Sequence, residues 1–409
     1  MISPRVIFEF PIRGDLIMHY VLIVLLLIFF SKPATAQGGP VSQAKNLFNP
    51  EISLNGIFSA AYHSKPENLQ FGAHDPTDRG FNLQNLELSL GSTVDPYFRA
   101  EAHLIFGLED GESFIEVEEA FITTLDLPHQ LQLIGGQFFT RFGRFNPQHP
   151  HIWNFVDQQI INNRIFGGDA LRNLGVQLSW LSPLPFYLEL IGSVQNAKGE
   201  TATSFLWADG EMVGGHPIGE RTVNGLDDYL YMGRIKTAWT PSDTQEMIIG
   251  TSGLYGPNGS GTNTDTIILG MDFYHKWKPV MSQRGFPFTS VQAEAMWRRY
   301  EAGDITGLGL SEEIFRDYGF YGQGLWGFME RLVAGARVEY SNGNADNASD
   351  PLRDRRWRVS PSLTRYFSEF SKLRLQYNAD FAEHLNDKAL HAVFLQFEFL
   401  IGKHGAHSF

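Results

Sequence analysis

Between Phe139 and Gly175 the sequence concentrates opposite charges: Arg141, Arg144, Arg164 and Arg172 share one stretch with Asp157 and Asp169, and His149 and His151 lie among them. Guanidinium and carboxylate groups facing one another across a narrow passage would set a transverse field and sort solutes by size and polarity. The same pairs could simply pin the segment to a surface, and the two roles are compatible. His149-Pro150-His151, and His404 with His407 near the chain end, also offer imidazole nitrogen, a ligand for divalent metal. A metal site needs three or four convergent donors. Only pairs are readable here, so hydrogen-bonding histidines are expected, with no metal and no cofactor.

Catalysis finds less support. The chain has no G-x-S-x-G elbow, no H-E-x-x-H and no phosphate-binding glycine loop, and Asn258-Gly259-Ser260-Gly261 reads as a loop tip. An enzyme is not expected. A formal net charge of -13 argues against nucleic acid as a partner, because phosphate neutralisation needs clustered Lys and Arg.

The charged stretch must be held by whatever flanks it. Leu131 to Phe139 alternates apolar and polar residues, and Gly175 to Trp180 alternates back. A connection of about thirty residues with its own aromatics is too long for a hairpin turn. It is predicted to fold into the mouth of a β-barrel and narrow it, with residues 143 to 172 as the constricting loop.

The same period-two pattern recurs along the chain in about sixteen segments of roughly ten residues. Phe98, Ala100, Ala102, Leu104 and Phe106 share one face of such a segment, and Arg99, Glu101 and His103 share the other. One oily face and one wet face suit a soluble sandwich or a membrane barrel with a water-filled lumen. Tryptophan position decides between them. Trp180, Trp239 and Trp277 each end a strand shortly before a proline, which in an up-and-down barrel places all three at one rim as an aromatic girdle. Connections also alternate, short around Asp95-Pro96, Thr240-Pro241 and Ser368 to Ser371, and long over 63 to 80, 143 to 172, 196 to 228, 300 to 318 and 341 to 355. Glycines and Pro361 in the last third predict interrupted strands near Gly322, Gly324 and Gly327.

The fold class is therefore all-β, a transmembrane antiparallel β-barrel of about sixteen strands with periplasmic termini and a long third loop folded into the lumen. An even count lets the last strand, with Val393, Leu395, Phe397, Phe399 and Ile401 outward, pair with the first and remove every sheet edge. On these facings the lumen carries Arg99, Glu101, His103, Arg234, Lys236, Asp272, Glu294, Arg298, Arg337, Glu339 and Arg374. Lys276 and Lys372, with Glu87, Glu189, Asp380 and Glu398, complete a lumen in which basic and acidic groups balance.

The ends give an address. Tyr20 to Phe30 is an unbroken apolar run, followed by Ala34-Thr35-Ala36 before Gln37, the small-x-small pattern of signal-peptidase cleavage. The run rises only ~17 Å as a helix, too short to cross hydrocarbon, and translation could start at Met1 or Met18. Residues 1–36 are read as a cleaved signal peptide, 37–50 as a short periplasmic segment and 51–409 as one barrel domain in a Gram-negative outer membrane. With no cysteine anywhere in the chain, no disulfide or lipoprotein anchor holds it.

Gly136-Gln137-Phe138-Phe139-Thr140-Arg141-Phe142-Gly143, the Asp95-Pro96-Tyr97-Phe98 turn and the terminal Phe409 resemble the phosphate-selective porins O and P. The run from Phe142 to Trp180 is more similar to uncharacterised barrels of that superfamily, some labelled zinc-regulated TonB-dependent receptors. The resemblance implies a sixteen-stranded, trimeric porin with an inward third loop, whose terminal Phe409 engages the barrel assembly machinery. A TonB-dependent transporter needs a plug domain and about 22 strands, and the balanced lumen is no anion ladder. Two functions stand: a porin-like channel for passive diffusion of small hydrophilic solutes or ions, or a plugged barrel that binds a ligand or a divalent metal such as zinc.

Overall fold

The structure, a computed structural model, describes residues 50–402 apart from 67–68, 110, 209, 220, 222, 283, 345–349 and 387. The signal segment, residues 37–49, the tail histidines His404 and His407, and Phe409 lie outside the described residues.

Among the described residues, eighteen strands are formed. The first seven are β1 (Glu51–His63), β2 (Gly80–Thr93), β3 (Phe98–Glu109), β4 (Glu112–Thr124), β5 (Leu131–Phe139), β6 (Arg172–Leu181) and β7 (Tyr187–Asn196). A two-residue ribbon, β8 (Met212–Val213) with β9 (His216–Pro217), follows in a loop. Then come β10 (Tyr229–Ser242), β11 (Gln245–Pro257), β12 (Asp265–Trp277), β13 (Phe288–Ala302) and β14 (Glu313–Met329). The last four are β15 (Leu332–Gly343), β16 (Arg356–Ser368), β17 (Ser371–Ala382) and β18 (Ala389–Gly402). Without the ribbon they form one closed antiparallel barrel of sixteen strands, and β1 pairs with β18 from Ser53↔Gly402 to His63↔Ala392. Closure leaves no free edge, so every strand finds its backbone partners within the sheet.

Burial is inverted relative to a soluble protein. On β6, Val176 is 49% exposed while its neighbour Gln177 is fully buried. On β18, Val393, Leu395 and Phe397 face out while Gln396 and Glu398 are buried. A continuous apolar exterior around a polar interior needs lipid outside. Trp180, Trp239 and Trp277 sit at or near the ends of β6, β10 and β12 at one rim of the barrel.

The connections at that end are 94–97, 125–130, 182–186, 243–244, 278–287, 330–331 and 369–370, and the opposite end carries 64–79, 110–111, 140–171, 197–228, 258–264, 303–312, 344–355 and 383–388. Two boundaries differ from the sequence reading. The long connection expected over 300–318 shrinks to 303–312, because Tyr300 on β13 stacks on Phe315 of β14 at 6.2 Å and carries the pairing outward. β14 runs unbroken through Gly322, Gly324 and Gly327: both neighbouring strands pair with it at Gly322 and Gly324, and β13 pairs at Gly327, where the β15 register shifts. The ladder supplies the hydrogen bonds whatever the side chain, so these glycines do not end the strand.

Candidate functional site

The loop of residues 140–171, the third connection on its side, is the element that fills the barrel. It leaves β5 at Thr140 and turns at Gly143, whose φ of 63° is left-handed and whose α-carbon faces Glu294 so closely that a Cβ would meet Oε2 at 2.3 Å. Glycine satisfies both demands. The loop contains a short helix, Ile160–Phe166, which ends at Gly167 with φ 80°. Its Ile161, Ile165 and Phe166 join Phe142, Phe145 and Trp153 in one apolar cluster with Ile191, Leu230, Met232, Leu254, Ile268, Met296 and Tyr321. Those wall residues come from β7 and β10–β14, so one side of the loop sits on an oily lumen surface.

The other side is held by charge. Asp157 accepts from Arg337 at 2.5 Å, Arg358 at 2.8 Å, and Gln376 and Asn378 at 2.7 Å each. Burial alone would raise its carboxyl; Arg358 and Arg337 outweigh that and hold it at about 2. Glu339 ties the same network together, receiving Arg358 at 2.9 Å and the Ile160 backbone N–H at 2.8 Å, with Arg337 alongside. Arg374 donates to the Trp153 carbonyl at 2.9 Å and Lys372 to that of His151 at 3.1 Å. Loop 64–79 packs in from above: Asp75 Oδ1 accepts from the Gln158 N–H at 2.8 Å. Burial first, and the nearby Asp157 charge second, push the Asp75 carboxyl up to about 6.

The other residues singled out in the sequence fall into distinct places. Arg141 is half-buried just after β5. Arg144 stacks on Tyr274 at 3.9 Å and donates to Gln292 at 3.3 Å. Arg164 donates to the carbonyls of Leu352, Arg353 and Asp354 in the loop after β15, and its own carbonyl accepts from Arg298 of β13 at 3.5 Å. Burial lowers its guanidinium to about 10. Arg172, read as the end of the loop, is the first residue of β6 and is 2% exposed, paired with Asp169 at 2.6 Å and with Glu116. On the wall, Arg234 pairs with Asp272 at 2.7 Å and Arg298 with Asp317 at 2.6 Å, while Lys236 meets Glu189 at 3.4 Å. Arg99 pairs with Glu101 at 2.9 Å, and Glu294 accepts from the Tyr321 hydroxyl at 2.6 Å.

Histidine gathers in one seam. His149 Nε2 lies 2.8 Å from Glu119, and its Nδ1 lies 2.8 Å from Glu118 and 3.5 Å from Glu87. His103 and His151 approach Glu87 at 3.0 and 3.1 Å, and His74 stands 3.8 Å from both Glu118 and Asp169. Burial alone would lower the His149 pKa; Glu87 and Glu118 beside it raise it well above the usual value. Sequence reading missed Glu118, Glu119 and His74. Adjacent glutamates should face opposite ways on a strand, but the β3–β4 register slips between His103 and Leu104, and the bulge turns both inward. The signal was the run Glu116-Val117-Glu118-Glu119, two neighbouring charges where one would otherwise face lipid.

Two cavities flank the loop. One of about 590 Å³ on the long-loop side is lined by Phe71, Ala73, Arg164, Asp169, Trp207 and Arg356 among others. One of about 150 Å³ on the short-turn side is lined by Arg144, Gln148, His151, Lys276, Tyr366 and Lys372 among others.

No family model matches the chain. A protein of Aquifex aeolicus (strain VF5), described as uncharacterised, is 32% identical over 91% of this chain and 82% of its own length. This chain belongs to that protein's family. Among solved structures, the outer membrane channel DcaP of Acinetobacter baumannii superposes with a TM-score of 0.59 at 13% identity, covering 86% of this chain and 97% of DcaP. In-vitro folded OmpT, an outer membrane protein of Vibrio cholerae in its trimer form, superposes at 0.51 with 8% identity over 86% and 99% of the two chains. At such identities the shared property is the fold, a porin-type sixteen-stranded transmembrane barrel.

Proposed function

We propose that this protein is an outer-membrane channel for the passive diffusion of small hydrophilic solutes or ions, with the 140–171 loop as its constriction. The observation that carries the reading is the seat of that loop. It meets polar wall groups on β4 and β15–β17 and apolar ones on β7 and β10–β14, so any solute must pass beside it. Arg141, Arg144, Asp157, Arg164 and Asp169 are its charged members and His149 and His151 its imidazoles, with Arg172 where it joins β6. Kinship with the phosphate-selective porins O and P belongs to this proposal. Phosphate selectivity does not, because Arg234, Arg298, Arg337 and Arg358 are each matched by a carboxylate. Export through a cleaved signal, assembly through Phe409 and a homotrimer complete the proposal.

A second reading has its own support. The loop is buried on both flanks, as a plug would be, and a plugged barrel would bind rather than conduct. Single-channel recording of the folded protein in a planar bilayer separates them. Stable conductance steps establish the channel; silence from a barrel shown to be folded overturns it in favour of the plug.

A further inference from the structure

We infer that the seam between the inward loop and the β2–β4 wall is a binding site for a divalent transition-metal cation of the zinc class, held by Glu87, His103, His149 and Glu118. One ligand atom each from Glu87, His103 and His149 lie within 4.8 Å of one another. His103 Nδ1 is 3.0 Å from Glu87, and His149 Nδ1 is 3.5 Å from Glu87 and 2.8 Å from Glu118. Tetrahedral zinc with bonds of about 2.0–2.2 Å needs its donors ~3.3 Å apart, and these separations bracket that spacing.

A second observation bears on ligation. His149 Nδ1 and Glu118 Oε2 are buried and 2.8 Å apart, an ion pair out of hydrogen-bond alignment. A divalent cation that displaced the imidazole proton would take both atoms as ligands. The remaining nitrogen supports this: His149 Nε2 lies 2.8 Å from Glu119, whose other oxygen accepts the Phe139 N–H at 2.8 Å. A carboxylate on the far nitrogen fixes the tautomer and leaves Nδ1 free to ligate. Two imidazoles with two carboxylates favour zinc and its neighbours over magnesium or calcium, which prefer all-oxygen shells.

The fold places this site deliberately. The bulge opposite His103 brings Glu118 and Glu119 inward together, and bulges cluster where a side chain must be re-aimed. The seam lies between residues that line the two cavities. Asp169 and Ala73 line the upper one, His74 bridges Asp169 and Glu118, and His151 carries the line from Glu87 into the lower one. The site stands whether or not the barrel conducts.

The test uses the full, untagged chain folded in detergent, stripped with chelator and titrated calorimetrically with zinc chloride alone. About one ion per chain should bind, and His149→Ala or Glu87→Gln should abolish the uptake, whereas His404→Ala with His407→Ala should leave it intact. Glu119→Gln, a milder change that keeps the ligands, should weaken binding by about 10–100-fold. X-ray absorption on the zinc-loaded wild type should show imidazole scattering with nitrogen and oxygen at about 2.0–2.2 Å. The inference is overturned if the wild type takes up no zinc, if the seam variants bind as the wild type does, or if the spectrum lacks imidazole. Conductance is recorded on the stripped protein, so a silent barrel that binds zinc removes only the channel reading, and a conducting barrel that binds none removes only the site.

Discussion

Asp157 and Arg337 lie 180 positions apart in sequence and 2.5 Å apart in the lumen, where both are fully buried. One belongs to the inward loop and the other to β15, so this contact fixes the depth at which the loop sits. Removing one member of such a pair strands the other charge without water, which costs far more than an exposed bridge is worth.

Asp157→Asn should therefore loosen the loop without opening the barrel. The expected loss is about 3–5 kcal/mol of loop anchoring, read as a lower unfolding temperature with unchanged β-sheet circular dichroism. If the channel reading holds, single-channel current should become larger and noisier. Unchanged conductance and unchanged stability would show that the loop is held elsewhere.

Acidity should act on the same junction with two signs. Asp157, held at about 2, contributes stability that is present above the ordinary value of 3.8 and is lost as pH falls through 2. Asp75, raised to about 6 by burial and then by Asp157, contributes stability that is full below 3.8 and lost as pH rises through 6. Hydrogen-exchange protection around residues 72–76 should accordingly rise between pH 7 and pH 5, while that around 156–160 should collapse only near pH 2. Protection that falls steadily from pH 7 to pH 5 would contradict the assignment.

Gly143→Ala should disturb the start of the loop more than its size suggests. The new methyl would stand 2.3 Å from Glu294 Oε2 at a φ of 63°, and a non-glycine residue there costs about 1–3 kcal/mol. Denaturant unfolding of the folded barrel, compared with the wild type, measures it; a neutral substitution would mean that Glu294 moves aside freely.

Val176 tests the lipid face. It points outward from the middle of β6 and is 49% exposed, so Val176→Arg should cost about 2–4 kcal/mol in a bilayer. Reversible unfolding from lipid vesicles gives the number. A cost near zero would place this face in water.

The barrel was legible in the chain because strand geometry is local. Side chains alternate on every strand, so the residues from Phe98 to Phe106 and from Val393 to Ile401 declare an oily face and a wet one wherever they end up. Tryptophans at every second strand end, short turns against long loops and the oversized connection after Phe139 completed the architecture without any contact between distant residues.

What only the tertiary structure decided is which lumen groups meet. Lumen partners are set by strand register and loop path, and neither is written in a period-two pattern. A one-residue slip between His103 and Leu104 turns Glu118 and Glu119 the same way, and a short helix at Ile160–Phe166 sets where Asp157 lands. The histidine pair at His149 and His151 was visible as a pair. That it faces Glu87, Glu118 and His103 depends on a loop folding back onto strands that precede it in sequence, at the depth that the β2–β3–β4 register gives those carboxylates.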